Sequence, residues 1–295
     1  MIEAAHKVSD LSQIGPFVLN ARVTVDPEHN KKQKPIRLTV SRDHERARVE
    51  LEFEGRHETP ILLGDKQYLI PHQGLLFGLG LREFDRSWDL AAPRKFGPAE
   101  KTNFGAVYSE KEQGTLCFNR RSAYDTEQLC FDAAKSMLLH QRSNKGAHTE
   151  FSDYASAGGQ MFPRKVQIFR QYMSPVEIDD VTVTPTTLAE QIFKVPENAI
   201  ELEGCDNLEP PKPLYTPEPE FPRVGGRDLN KYFIMLHILV MKEGKVTDAV
   251  AFSPDNLGFS KNAEQTVQKW RFKPGSCNGR PVAVEMKIEI TYQRF

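Results

Sequence analysis

The chain has 295 residues, which is long enough for two domains, and its 27% charged and 39% hydrophobic residues are those of an ordinary folded protein. Its 39 basic and 40 acidic side chains leave a net charge of -1, so no overall field favours nucleic acid or an anionic membrane surface. No run approaches the roughly 18 apolar residues of a membrane-spanning helix, and residues 1–7 lack the apolar core of a signal peptide. The expectation is a cytosolic protein, or one whose export signal has been removed.

The first two thirds of the chain predict a short helix followed by many strands. A weak apolar stripe predicts a helix over 3–14, which Gly15-Pro16 ends. Strands are predicted at 17–25, 36–40, 46–53, 61–63, 67–70, 166–172 and 177–184. In 46–53 apolar residues alternate with glutamates, which is typical of a strand with one buried face. The region therefore predicts a meandering antiparallel sheet.

Gly74–Leu81 is the most apolar short run in this part of the chain, and it contains three glycines. It has two interpretations: a core segment with close backbone packing, or a lip or plug at an apolar cavity. It is too short to span a bilayer, and its G-x-G is not followed by the helix and distant acidic residue of a dinucleotide site.

The four cysteines predict two disulfides. Leu116-Cys117-Phe118 and Leu129-Cys130-Phe131 repeat one triplet around a polar, turn-rich segment, which suggests a hairpin with Cys117 opposite Cys130. Such a bridge would contribute about 3 kcal/mol, and the alternative is two buried free thiols. Cys205 and Cys277 remain, and joining them would close a long loop for about 4 kcal/mol. A C-x12-C spacing without a second ligand pair is a poor zinc site.

The last third opens with a proline-rich stretch and closes with an alternating strand. Six prolines between Pro210 and Pro222 predict an extended spacer of only about 40 Å. At the end of the chain, apolar side chains from Val282 to Tyr292 alternate with polar ones, so the outward face would carry Glu285, Lys287 and Glu289. Before that strand, the segment from Trp270 to Pro274 is predicted to end a helix, and Asn278-Gly279 to form a turn.

This C-terminal pattern resembles the C-terminal domain of TonB, the energy transducer of bacterial outer-membrane transport. The residues that carry the resemblance are Trp270, Arg271, Phe272, Pro274, Gly279, Pro281 and Val282, with Pro219-Glu220-Phe221-Pro222 upstream. The resemblance implies a first hairpin at 232–242 and 245–252 with Glu243-Gly244 as its turn, and a helix at 260–269.

A second resemblance covers roughly residues 10–200. The order of elements, with Phe151-Ser152-Asp153-Tyr154 followed by Phe162-Pro163-Arg164-Lys165-Val166, is similar to the lipoprotein-carrier superfamily typified by LolA. This resemblance implies a curved antiparallel half-barrel sheet around an apolar cavity. Together the two resemblances imply an α+β fold: a LolA-like domain at 1–200, a Cys/Pro-rich linker at 201–222, and at 223–295 a small TonB-like domain of about three antiparallel strands and a helix.

The resulting expectation is a non-enzymatic binding protein of the periplasm or cell envelope of a Gram-negative bacterium. No nucleophile elbow, zinc-protease motif, C-x-x-C or P-loop is present, and no catalytic residue, metal or cofactor is expected. His237 is interpreted as a packed strand residue. An outer-membrane transporter or other envelope protein is the expected partner; the alternative is a lipid or lipoprotein carrier that holds an acyl chain, and a third is a purely structural role.

The resemblance to TonB also implies where a partner would bind. In that family a short transporter peptide adds to the final strand, and an exposed sheet edge is a template for an incoming strand. The predicted partner-binding residues are Val284, Glu285, Met286, Lys287, Ile288, Glu289 and Ile290.

Overall fold

The computed structural model describes residues 9–25, 27, 34–53, 56–64, 66–70, 103–104, 108–110, 114–121, 126–144, 146–170, 173–202, 205, 207–222, 231–251 and 258–293. They form strands for the most part. The predicted run Gly74–Leu81 and residues 3–8 of the predicted N-terminal helix lie outside them. Of that helix, Leu11–Ile14 form a 3-10 turn whose first N–H groups are capped by Asp10.

The elements follow one another in chain order. The first fourteen strands are β1 (Phe17–Val25), β2 (Ile36–Asp43), β3 (Arg46–Phe53), β4 (Arg56–Glu58), β5 (Ile61–Leu63), β6 (Lys66–Leu69), β7 (Asn103–Phe104), β8 (Tyr108–Glu110), β9 (Thr115–Arg121), β10 (Thr126–Asp132), β11 (Leu138–Ser143), β12 (Ala147–Ala157), β13 (Gln160–Arg170) and β14 (Met173–Pro185). After a 3-10 turn at Glu190–Phe193 come β15 (Ile200–Leu202), β16 (Leu208–Glu209), β17 (Lys212–Tyr215), β18 (Lys231–Val240), β19 (Val246–Ala251), helix α1 (Phe259–Val267), β20 (Arg271–Lys273), β21 (Gly275–Cys277), β22 (Arg280–Val282) and β23 (Val284–Gln293).

The chain divides into two compact units. The first contains the described residues of 1–44, 52–54 and 80–192, and the second contains those of 45–51, 55–79 and 193–295. Each unit is built on antiparallel strand pairs, so the expected antiparallel architecture is confirmed in its coarse form.

The first unit is a broad antiparallel sheet with one apolar face. Its strands follow the order β2-β1-β14-β13-β12-β11-β10-β9-β7, and β8 also pairs with β9. Side chains alternate along β1, where Phe17, Leu19, Ala21 and Val23 are buried while Asn20 and Arg22 are exposed. Successive strands bury their apolar side chains in the same way, because directly opposed residues share a face.

A hairpin of β9 and β10 carries the first disulfide. Cys117 lies directly opposite Cys130 in the register, and their sulfurs are bonded at 2.06 Å. Both cysteines are fully buried, and Phe118 packs edge-on against Phe131 at 5.9 Å between ring centres. The pairing predicted from the repeated triplet is confirmed.

In the second unit, β18 is the central strand of a small sheet with the order β19-β18-β23, called here the C-terminal sheet. Helix α1 covers one face. The core between them includes Leu236, Ile238, Phe259, Ala263 and Val267, all at most 1% exposed. The first hairpin and helix implied by the TonB resemblance therefore lie where that resemblance puts them.

The proline-rich stretch, described at 205 and 207–222 and called here the strap, pairs with the strands that follow helix α1. Its strands β16 and β17 pair with β21 and β20, and the Cys205–Cys277 disulfide, with a 2.02 Å sulfur bond, fixes its first residue. The predicted second disulfide is thus confirmed. The prediction that the Trp270–Pro274 motif ends a helix is wrong in detail. The helix ends at Val267, and Arg271–Lys273 form a strand because β17 lies beside them.

Candidate partner-binding edge

The candidate site is the outer edge of β23, the last strand in the order of the C-terminal sheet. All ten residues of β23 pair with β18 in an unbroken register, from Val284 opposite Val240 to Gln293 opposite Lys231. Among the described strands, none pairs with the other side of β23. The strand contains no proline, so every residue keeps its backbone N–H, and these groups point alternately towards β18 and towards the outer edge.

Helix α1 holds β23 in place through one buried tyrosine. The Tyr292 hydroxyl donates to the Phe259 carbonyl oxygen at 3.0 Å or to Asn262 Oδ1 at 2.8 Å. Its ring meets the Phe259 ring edge-on at 4.8 Å. Strand β19, at the opposite edge of the C-terminal sheet, contacts the same helix, because the Ala251 N–H donates to Glu264 Oε1 at 2.8 Å. Helix α1 therefore contacts both outer strands of the C-terminal sheet and holds β23 in position.

The two faces of β23 differ in chemistry. On the helix face, Val284 and Ile290 are buried, while Met286 and Ile288 are half-buried against the core. On the opposite face, Lys287 and Glu289 are exposed to solvent. An extended segment lying beside β23 would meet apolar side chains on one face and one charge of each sign on the other.

Glu285 differs from its sequence-based expectation. It was expected on the outward face, yet its side chain is only 3% exposed, and its Oε1 lies 3.9 Å from Nε2 of the buried His237. The side chain is buried because residues of β6 and β15 pack on this face of the C-terminal sheet. Glu285 lies opposite Leu239, which packs against Leu69 of β6 and Leu202 of β15. No sequence pattern connects Leu69 or Leu202 to this sheet, because they lie far upstream.

The residues of the TonB-like motif lie between helix α1 and the start of β23 in the chain. Phe272 is buried, and its N–H donates to the Gly244 carbonyl oxygen at 2.8 Å. Trp270 Nε1 donates to the carbonyl oxygen of Pro217 in the strap at 3.0 Å. Val282 is buried with Val284 and Cys277, so it joins the start of β23 to the second disulfide.

The remaining motif residues lie at the surface or in turns. Arg271 Nη1 donates to the Trp270 carbonyl oxygen at 2.7 Å, Gly279 adopts φ 80° in the turn before β22, and Pro281 is exposed. Phe221, in the predicted proline-aromatic-proline segment, packs edge-on against Phe259 at 5.1 Å and Tyr292 at 6.0 Å. Phe221 of the strap thus packs against the same helix residue and the same tyrosine that join α1 to β23.

Comparison with known proteins identifies this region. Residues 217–293 match the family of the Gram-negative bacterial TonB protein C-terminal domain. The resemblance expected from the sequence is confirmed, and this part of the chain is similar to the TonB C-terminal domain. A search of curated protein sequences finds no match to the chain.

Solved structures similar to the chain include two bacterial proteins. One is a LolA superfamily protein from Nitrosomonas europaea, with 12% identity and a TM-score of 0.47, covering 66% of this chain and 96% of that protein. The other is a DUF1329 family protein from Desulfovibrio piger, with 9% identity and a TM-score of 0.38, covering 65% of this chain and 95% of its own. The LolA superfamily is the one that the sequence suggested, but at these TM-scores neither likeness supports a functional argument. Within the described part of the chain, no helix combines the length and apolarity needed to cross a bilayer.

Proposed function

We propose that the protein is a non-enzymatic binding protein of the cell envelope, and that its TonB-like domain captures an extended peptide of an envelope partner along β23. The observation that carries the proposal is the regular outer edge of this ten-residue strand, which has no neighbouring strand among those described. A strand that adds to such an edge gains main-chain hydrogen bonds along its whole length. These bonds supply most of the affinity.

Selectivity comes from the side chains of the incoming strand. They alternate between the two faces, so every second residue would pack beside Met286 and Ile288, and the others would lie beside Lys287 and Glu289. The preferred peptide therefore alternates apolar and polar residues and carries charges complementary to one lysine and one glutamate. An outer-membrane transporter or another envelope protein would supply this peptide.

The oxidation of the cysteines supports a location in the periplasm or cell envelope. All four are oxidised in two disulfides, which persist in secreted and periplasmic proteins and are rare in the cytosol. Together with the TonB-like match at 217–293, the disulfides support a proposed location in the periplasm or at the envelope of a Gram-negative bacterium.

Site-specific photocross-linking tests which surface meets the partner. A photoreactive residue replaces Lys287 or Glu289 on the exposed face of the edge, and in matched controls it replaces Lys261 or Gln265 on the exposed side of α1. We expect both edge positions to cross-link to the same short segment of one envelope protein, and both helix positions to give no cross-link to it. Equal cross-linking from edge and helix would contradict the proposal.

Proline substitution tests the main-chain mode itself. Lys287→Pro removes a backbone N–H, whereas Lys287→Ala keeps it and removes only the charge. Because successive N–H groups point to opposite sides of a strand, Ile288→Pro tests the alternate set. Of the two proline variants, the one that removes an outward N–H should retain the circular dichroism of the wild type and bind the cross-linked segment about tenfold more weakly. Unchanged binding by both folded proline variants would contradict strand addition.

A carrier function is the second proposal, and it rests on the apolar face of the first unit. Leu19, Leu38, Leu129, Phe131 and Ile178 of this unit are all at most 2% exposed. These packed side chains form an apolar interior, and the carrier proposal requires that the half-barrel predicted from the sequence open there to admit a lipid or acyl chain. Native mass spectrometry of the protein purified from its envelope should then show a bound species of lipid mass, and a single unliganded mass would contradict the carrier function.

A further inference from the structure

Three possible metal ligands lie side by side in the first unit. Cys130 of β10 is opposite Cys117 of β9 and opposite His140 of β11. Directly opposed residues of neighbouring strands share a face of the sheet, so the three side chains form one row. Their ligand atoms, two sulfurs and one imidazole nitrogen, all lie within 4.8 Å of one another.

This donor set suits a soft or borderline divalent cation. Tetrahedral Zn²⁺ takes sulfur at about 2.3 Å and imidazole nitrogen at about 2.0–2.1 Å, which sets its ligand atoms roughly 3.5–3.8 Å apart. Reduction of the Cys117–Cys130 disulfide frees the two sulfurs to move apart to this spacing on facing strands. Both cysteines are fully buried, and a cation neutralised by two thiolates is a form in which charge is tolerated in the interior.

The surroundings of His140 also suit a ligand. Glu150 lies opposite His140 on β12, and its Oε1 lies 3.4 Å from Nε2 of His148. The His148 ring packs edge-on against the His140 ring, with 6.0 Å between their centres. A neighbouring side chain that is itself held by a carboxylate therefore orients the His140 ring.

We propose that the reduced chain, before its disulfides form, binds one Zn²⁺ through Cys117, Cys130 and His140, with an exchangeable fourth ligand, and that oxidation of the two cysteines releases the metal. In that oxidation the two zinc-bound thiolates pass two electrons to the disulfide of an oxidising protein. The Cys117–Cys130 bond forms, the partner disulfide breaks into two thiolates, and Zn²⁺ leaves. Zinc and disulfide are thus alternative states of the same two sulfurs.

The other cysteine pair does not offer this arrangement. Across the described residues, the group around Cys117 is the one in which at least three cysteine, histidine or carboxylate ligand atoms meet at this spacing. Cys205 and Cys277 would supply two thiolates after reduction, and among the described residues no third ligand lies at that distance. The two pairs therefore provide a comparison within one chain.

Zinc content of the full chain tests the proposal. The protein is purified in a dithiol reductant, or oxidised, and each form is equilibrated with Zn²⁺, desalted and measured for zinc per chain. We expect about one zinc in the reduced form and none in the oxidised form. His140→Gln should weaken zinc binding at least tenfold, the matched control His148→Gln should leave it unchanged, and the pair Cys205→Ser with Cys277→Ser should retain it.

Other outcomes would overturn the proposal: no zinc on the reduced chain, full binding by His140→Gln, or loss of zinc only when Cys205 and Cys277 are replaced. If the double serine variant does not fold, Co²⁺ absorption of the reduced wild type and of His140→Gln decides instead. Bands of a tetrahedral site with two thiolates that change in His140→Gln support the proposal. Identical spectra for the two proteins overturn it.

Discussion

At the scale of single residues, Gly244 shows how a turn and a motif depend on each other. The residue adopts φ 78°, a left-handed conformation that glycine reaches without strain. A Cβ placed on it would lie 1.9 Å from the carbonyl oxygen of Phe272. The Glu243-Gly244 turn follows from the resemblance to TonB, whereas this close approach to the motif residue Phe272 is visible only in three dimensions.

Alanine substitution at Gly244 and at Gly279 separates the cost of the left-handed conformation from the cost of the close approach to Phe272. Gly279 adopts φ 80° in open space, so Gly279→Ala should cost only the left-handed penalty of about 1–2 kcal/mol in free energy of unfolding. Gly244→Ala carries the same penalty and must also displace the Phe272 backbone, which should add about 1–3 kcal/mol. Urea unfolding of the two variants beside the wild type measures the difference. Equal costs for both would mean that the turn moves away from Phe272 freely.

At the scale of elements, local pattern predicted strands better than their partners. Phe17–Val25, Arg46–Phe53 and Ile61–Leu63 have the bounds that the sequence predicts, and the Cys117–Cys130 hairpin is a pairing that the repeated triplet also predicts. The strap was predicted as an extended spacer from its prolines, and the same extended backbone forms β17 once Arg271–Lys273 lie beside it. Proline content determines the conformation of a segment, but not which strand pairs with it.

For β23, too, local pattern predicted the strand but not every contact of its side chains. The alternation from Val282 to Tyr292 predicted the strand and the exposure of Lys287 and Glu289, yet it also predicted an exposed Glu285. Burial of Glu285 depends on β6 and β15, which no periodicity within the strand can reveal. Use of the edge by a partner stays a prediction.

At the scale of the whole molecule, the C-terminal sheet is covered by helix α1 on one face and, around Leu239, by upstream strands of the second unit on the other. Ile238 points to helix α1, and the next residue, Leu239, points to Leu69 and Leu202 of two strands that come before the TonB-like match. Both residues are fully buried. The unit that folds around β23 therefore extends beyond residues 217–293, and a fragment limited to the matched region would expose Leu239.

A fragment of residues 203–295 keeps both Cys205 and Cys277 but lacks β6 and β15. It therefore keeps the contacts on the helix face of the C-terminal sheet and loses those on the opposite face. In the full chain, Ile238→Ala and Leu239→Ala should each cost about 2–5 kcal/mol, since each removes a fully buried side chain. In the fragment, Ile238→Ala should cost the same, because α1 remains, whereas Leu239→Ala should cost under about 1 kcal/mol, because the side chain is already exposed. Denaturant unfolding followed by Trp270 fluorescence, with Trp88 replaced by phenylalanine in the full chain, measures all four values. An equal cost of Leu239→Ala in the fragment and in the full chain would show that β6 and β15 do not stabilise the C-terminal sheet.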